Sequence, residues 1–230
     1  MVIVMDLVEQ IYSEKKLLLR AMDWTRLQRN GNDLEYDCTT WANEFSLLEK
    51  GKLSSVSTTL IVPNVGVSTY KNIGFLINSD FVNCFHISIS DSGSSGDIDN
   101  GDFFANNSDF DNIEELSKYI NENNSTIMNE VNIVASLDSV VGLFVNKCEH
   151  QHFLLSQTFI IQNFLKHMFD IEYPIYLYDS KCGRIERMEL TPELQEEITS
   201  NLKTKNIFYW PDDYDEPVIE SLDNIKSKML

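Results

Sequence analysis

The sequence predicts an α+β domain in which a mostly antiparallel sheet packs against one central buried helix, with further helices near the chain ends flanking it. Three observations lead there. Across residues 153–169, a helix places Phe153, Leu154, Ile160, Ile161, Phe164, Leu165, Met168 and Phe169 within about half its circumference, and Ser156, Gln162, Asn163, Lys166 and His167 on the other half. Asp170 and Tyr173-Pro174 end that helix, because proline drives the residue before it out of the helical region, and Ile175-Tyr176-Leu177-Tyr178 follows as a strand. Finally, residues 53–90 hold three short runs of β-branched and apolar residues separated by turn chemistry, the pattern of neighbouring strands.

At 230 residues the chain suits one domain, spanning 1–230. Asp6 with Glu9 is spaced as a capping pair, and Leu7, Val8, Ile11, Tyr12, Leu18, Leu19 and Met22 recur at near-helical spacing, which predicts a helix over 6–22. Asn30-Gly31-Asn32-Asp33 is a turn. Over 34–50 the signals conflict: Leu34, Tyr36 and Cys38 alternate as in a strand, whereas Trp41, Phe45 and Leu48 have helical spacing. Strands are expected at 53–62, 73–77 and 81–89; in the last, Phe85, Ile87 and Ile89 share one face while Cys84, His86, Ser88 and Ser90 share the other. Their closeness in sequence suggests an antiparallel meander. Residues 91–102, rich in Asp, Ser and Gly, form an exposed loop. Asp111 with Glu114 opens a helix through Ile113, Leu116, Tyr119 and Ile120, and 131–135 and 140–145 are short strand candidates. Past the central helix and strand, 179–183 reads as a hairpin loop into 184–190. Thr191-Pro192 starts a helix carrying Leu194, Ile198 and Leu202. Ile207-Phe208-Tyr209-Trp210 is an aromatic run halted by Pro211, and 216–230 reads as a final helix.

Eighteen basic residues against thirty-six acidic ones give a net charge of -18. That potential disfavours nucleic acid and anionic membrane surfaces, which need clustered Lys and Arg, and it attracts basic proteins. The opening residues 1–5 lack a basic region and a sufficiently long apolar stretch for a secretory signal, and no run approaches the length of a membrane span, so a cytoplasmic protein is expected. Four separated cysteines, Cys38, Cys84, Cys148 and Cys182, then read as free thiols.

Two kinds of constellation bear on chemistry. Cys148-Glu149-His150-Gln151-His152 sets a thiol and two imidazoles within five residues, and Cys84 with His86 on one strand face completes a possible zinc set or a thiol and base for a hydrolase. The spacing at every second residue departs from the wrap of structural zinc sites, and no local signature selects a nucleophile, so no metal, cofactor or catalytic residue is assigned. Gly93-Ser94-Ser95-Gly96 fits neither a phosphate-binding loop nor a nucleophile elbow, and the 91–102 loop breaks the register of a calcium loop. The second kind is acidic. Asp97, Asp99, Asp102, Asp109 and Asp111 lie in one loop and its exit, while Asp212, Asp213, Asp215 and Glu216 follow Tyr209 and Trp210 and surround Tyr214. Aromatic anchors beside carboxylates suit docking onto a basic partner, the aromatics holding and the charges steering.

In its acidic charge, size, richness in Asn, Ser, Ile and Asp, and lack of a catalytic motif, the whole chain resembles the bacterial immunity proteins that neutralise toxin domains of contact-dependent and other polymorphic toxins. The resemblance implies tight stoichiometric binding to one toxin domain, often a basic nuclease, with the two acidic segments as candidate interface. The competing expectation is a small hydrolase or zinc enzyme using Cys84, His86, Cys148, His150 and His152.

Overall fold

A computed structural model describes residues 6–22, 26–30, 33–37, 53–69, 71–89, 108–123, 128–148, 170–196, 206–209 and 218–221, together with 151, 154, 155, 158, 159, 162 and 166. In chain order the elements are α1 (Leu7–Ser13), β1 (Leu17–Met22), β2 (Arg26–Asn30), β3 (Asp33–Asp37), β4 (Leu53–Ile61), β5 (Ile73–Asn78), β6 (Asn83–Ser88), α2 (Ile113–Asn123), β7 (Glu130–Ala135), β8 (Val140–Asn146), β9 (Ile175–Asp179), β10 (Arg184–Met188), β11 (Asn206–Tyr209) and β12 (Val218–Ser221). Eight strands form one sheet in the order β10-β9-β8-β5-β1-β4-β7-β6; β2 with β3 and β11 with β12 make separate hairpins.

Period-two alternation gives the sheet an apolar layer on each face. One layer gathers Leu18, Leu60, Phe75, Ile77, Leu143 and Leu177 beneath Ile113, Leu116 and Ile120 of α2. The opposite layer gathers Leu17, Leu19, Leu76, Phe144, Tyr176 and Tyr178 beneath Val8, Ile11 and Tyr12 of α1. All pairings in the large sheet are antiparallel except β8 with β9. Parallel neighbours cannot be joined by a tight turn, so the chain must cross over between them. Leu154, Leu155, Thr158, Phe159, Gln162 and Lys166, within that crossover, are helical, and Leu155 and Phe159 are buried in the same layer as α2. The other residues of the central helix expected over 153–169 lie outside the described residues.

Several expectations change. The helix expected over 6–22 stops at Ser13, after which Leu17–Met22 is a strand. Lys15, at φ 62°, turns the backbone left-handed, and the amides of Lys15 and Lys16 donate to the carbonyls of Tyr12 and Ile11 at 2.9 and 3.1 Å, a helix-ending Schellman turn. Leu17, Leu18 and Leu19 are then buried alternately in the two layers, which a single helix face does not achieve. The meander is replaced by interleaving: β1 separates β4 from β5, and β7 separates β4 from β6. The cap of α2 falls one residue later than Asp111, since Asn112 accepts from the Glu115 amide at 2.9 Å while the Glu115 carboxylate accepts from the Asp111 amide at 3.1 Å. Within the helix expected over 216–230, Val218–Ser221 is a strand paired with Asn206–Tyr209, as the β-branched Val218 and Ile219 favour. The rest of that stretch lies outside the described residues.

The strand expected over 81–89 is shortened to Asn83–Ser88, because Ser79–Phe81 forms a 3-10 turn. Three local expectations stand: Asp6 caps α1 by accepting from the Val8 amide at 2.9 Å, Asp179 to Gly183 make the β9–β10 hairpin turn, and Thr191 caps residues 192–196 by accepting from the Leu194 amide at 3.2 Å. Residues 197–205 lie outside the described set. Of the segment left open at 34–50, Asp33–Asp37 is strand β3, its Asp33 paired with Asn30 across the expected turn. Among the described residues no helix is long and apolar enough to cross a membrane.

Candidate functional site

The proposed thiol and imidazole pair does not form one surface. Along β6 and β7, Cys84 is opposite Ile133 whereas His86 is opposite Asn132, because the ladder shifts register between Cys84 and His86. That bulge turns Cys84 toward the α2 layer, with Ile133, and His86 to the other face of the sheet. Cys84 is exposed there, and its thiol is pushed up to about 11 by desolvation and by the nearby Glu114 carboxylate. It is therefore protonated, and a poor nucleophile or metal ligand, at neutral pH. The His86 side chain is only 1% exposed, so a substrate has no direct access to it. Cys148 is half-buried, and His150 and His152 lie outside the described residues. Among the described residues no group of three or more His, Cys, Asp or Glu side chains could hold a metal ion.

Of the acidic residues singled out by sequence, Asp109 and Asp111 are described and both are exposed. Asp109 is committed to structure. Its carboxylate accepts from Ser88 Oγ and from the Ile89 amide, both at 3.0 Å, and its own amide donates to the Ile87 carbonyl at 2.8 Å. With Ser108 Oγ accepting from the Ile87 amide at 3.0 Å, the 108–109 segment covers the outer end of edge strand β6 and protects it from pairing with another chain. Asp111 stands just before α2, its amide donating to the Glu115 carboxylate at 3.1 Å. Asp97, Asp99, Asp102, Trp210, Asp212, Asp213, Tyr214, Asp215 and Glu216 lie outside the described residues; Tyr209 ends β11, its side chain likewise outside.

The segment that the sequence reads as the cap of a helix, with Asp111 in the candidate interface, carries an acidic surface in the described structure. α2 buries Ile113, Leu116, Ser117 and Ile120, which leaves Glu114, Glu115, Lys118 and Glu122 exposed on its outer side, next to Asp111. Beside this helix opens a cleft of about 480 Å³. One wall is the α1–β1 turn, Glu14, Lys15 and Lys16; the other is α2, with Ile113, Glu114, Ser117, Lys118, Asn121 and Glu122. Lys16 is held by Asp80 at 2.9 Å and Glu14 at 3.5 Å, and the hydrogen bond to Asp80 leads the causes that raise its pKa. Lys118 faces Glu122 at 3.9 Å along the helix. Helical periodicity shows that Glu114, Ser117, Lys118, Asn121 and Glu122 share a stripe; that this stripe meets residues about a hundred positions earlier is a tertiary fact without a local signal.

The chain matches no protein-family profile and no curated protein sequence.

Proposed function

We propose that this protein is a non-enzymatic binding protein, an acidic immunity protein that acts in the cytosol by occupying a basic toxin domain in a tight one-to-one complex. The observation that carries the reading is the outer side of α2 with its approach: Asp111, Glu114, Glu115 and Glu122 are exposed there against Lys118. On a chain of net charge -18 this surface concentrates negative potential on a rigid helix, and a rigid, oppositely charged surface both speeds encounter with a basic protein and rejects like-charged competitors. Asp97, Asp99 and Asp102, which precede this helix in sequence and lie outside the described residues, belong to the same proposed contact. Tyr209, Trp210 and Tyr214, with Asp212, Asp213, Asp215 and Glu216, are the second proposed contact.

The test is to read the neighbouring gene and, where it encodes a large secreted protein with a basic C-terminal domain, to titrate the purified protein calorimetrically into that domain and assay its toxicity; a neighbour of any other kind counts against the reading. A stoichiometry of one and loss of toxin activity are expected. A toxin domain that keeps full activity in excess protein sinks the reading.

A further inference from the structure

The start of β6 carries an apolar surface that the fold leaves in water. Asn83, its first residue, is opposite Val134 near the end of β7, and the 3-10 turns that flank this pair, Ser79–Phe81 and Leu137–Ser139, lie side by side. Phe81 is 62% exposed, and Phe85 and Val134 are each 39% exposed. An apolar side chain left in water forgoes its burial, and three of them within two residues of one strand pair make a surface rather than scattered exposures. Carboxylates rim it. Asp138 is exposed in the second turn, and α2 packs on β6 with the exposed Glu114 close enough to Cys84 to raise its thiol. Asp80 adds a third, shared with Lys16 at 2.9 Å. Strand pairing is not what this edge offers: Ser108 and Asp109 already hold the Ile87 amide and carbonyl, and the bulge between Cys84 and His86 breaks the ladder. A partner engages it through side chains.

We infer that this corner seats an apolar side chain of a basic protein, with a Lys or Arg beside that side chain meeting Glu114 or Asp138. The apolar groups hold and the charged rim selects. A second copy of this chain is a poor occupant, because a two-fold contact brings the same carboxylates face to face on two molecules that each carry a charge of -18. Resting on the reading of this protein as a binder of a basic protein, the inference adds an apolar anchor to the charged surface of α2.

The experiment titrates the peptide acetyl-Lys-Phe-Lys-amide into the isotope-labelled full chain and follows backbone amide shifts by NMR, with acetyl-Lys-Ser-Lys-amide and acetyl-Glu-Phe-Glu-amide as comparisons. Saturable shifts centred on Phe81, Asn83 and Val134 are expected, with affinity weakened about fivefold or more for either comparison peptide and in the surface variant Phe81→Ser. Equal affinity for the three peptides, or affinity unchanged in Phe81→Ser, overturns the seat. So does an equal loss in Leu7→Ser, a change of the same kind at an exposed position of α1. A dimer in sedimentation that Phe81→Ser separates also overturns it, by giving the corner to a second copy. In the complex with the basic domain, Phe81→Ser should speed dissociation about tenfold with little change in association. A complex that Phe81→Ser leaves unchanged overturns the seat while the function reading stands; selective peptide binding with no complex overturns the function reading and leaves the seat.

Discussion

Asp6 ties the start of α1 to strands β9 and β10. Its carboxylate accepts from the Val8 amide at 2.9 Å, from the Tyr176 hydroxyl, and from Arg187 Nη1 at 2.5 Å. Burial alone would raise its pKa, but the bonds from Tyr176, Val8 and Arg187 together outweigh it and hold the carboxyl below its ordinary 3.8. The folded state thus binds this proton less readily than the unfolded chain. The stabilisation is complete above pH 3.8 and drains away as pH falls through the lowered value. Asp6→Ala should cost about 2 kcal/mol at pH 7, from a lost cap and a buried phenol left without its acceptor, and the gap to the parent should narrow below pH 3 in thermal melts. A gap that stays constant down to pH 2 would exclude the carboxylate as its source. Lys15 lies at the other end of α1 with φ 62°, a conformation that costs a side chain roughly 1 kcal/mol and glycine almost nothing. Lys15→Gly should therefore raise stability by about that amount in urea unfolding, and a loss would show that contacts of the lysine outweigh the backbone term.

At the scale of elements, the sheet depends on a few places where backbones come unusually close. Gly74 of β5 is one: a Cβ there would stand 1.9 Å from the Arg20 carbonyl oxygen of β1 and 2.8 Å from the Phe144 ring of β8. The neighbours are backbone and core on both sides, so relief requires parting central strands. Gly74→Ala should destabilise by about 3 kcal/mol or more, measured as a shift in urea midpoint with unchanged slope. The crossover gives a second case, since Phe159 is buried against the α2 layer and Phe159→Ala should cost about 3–5 kcal/mol through the cavity it leaves. How far these elements were legible follows from where their signals lie. β4, β5, β7, β8 and β9 announce themselves through β-branched or aromatic runs bounded by turns, and α2 through its apolar stripe. β1 does not, because a central strand buried on both faces loses the polar alternation that marks a strand, and Leu17-Leu18-Leu19 suits a helix equally well. The neighbour order is invisible locally, as it depends on β1 inserting between β4 and β5 from far away in sequence. A one-residue bulge in β6 was enough to separate Cys84 from His86, and no composition signal reports it. The candidate cleft was half legible: its helical stripe is periodic, while the Glu14 to Lys16 wall arrives only through folding.

For the whole molecule the governing quantity is charge. A surplus of eighteen negative charges sets up a field that acts before any contact forms, whereas the Asp6 cluster and the Gly74 crossing act only within the fold. The two regimes separate by salt, because mobile ions shorten the reach of exposed charges to about 8 Å at 0.15 M ionic strength but barely touch buried bonds. Folding stability should accordingly change little with moderate salt, while association with a basic domain should slow by about tenfold or more between 50 and 500 mM salt in stopped-flow mixing, dissociation changing much less. Position matters as well as total charge. Neutralising Glu114, Glu115 and Glu122 together should slow association more than neutralising Glu186, Glu189 and Glu193, which carry the same charge beyond β9. If both triple variants slow it equally, the field is that of a uniformly charged particle, and the α2 surface is no more than part of its coat. If only the α2 set matters, the carboxylates on this helix are arranged for a partner, and their position on the fold adds to what the total charge does.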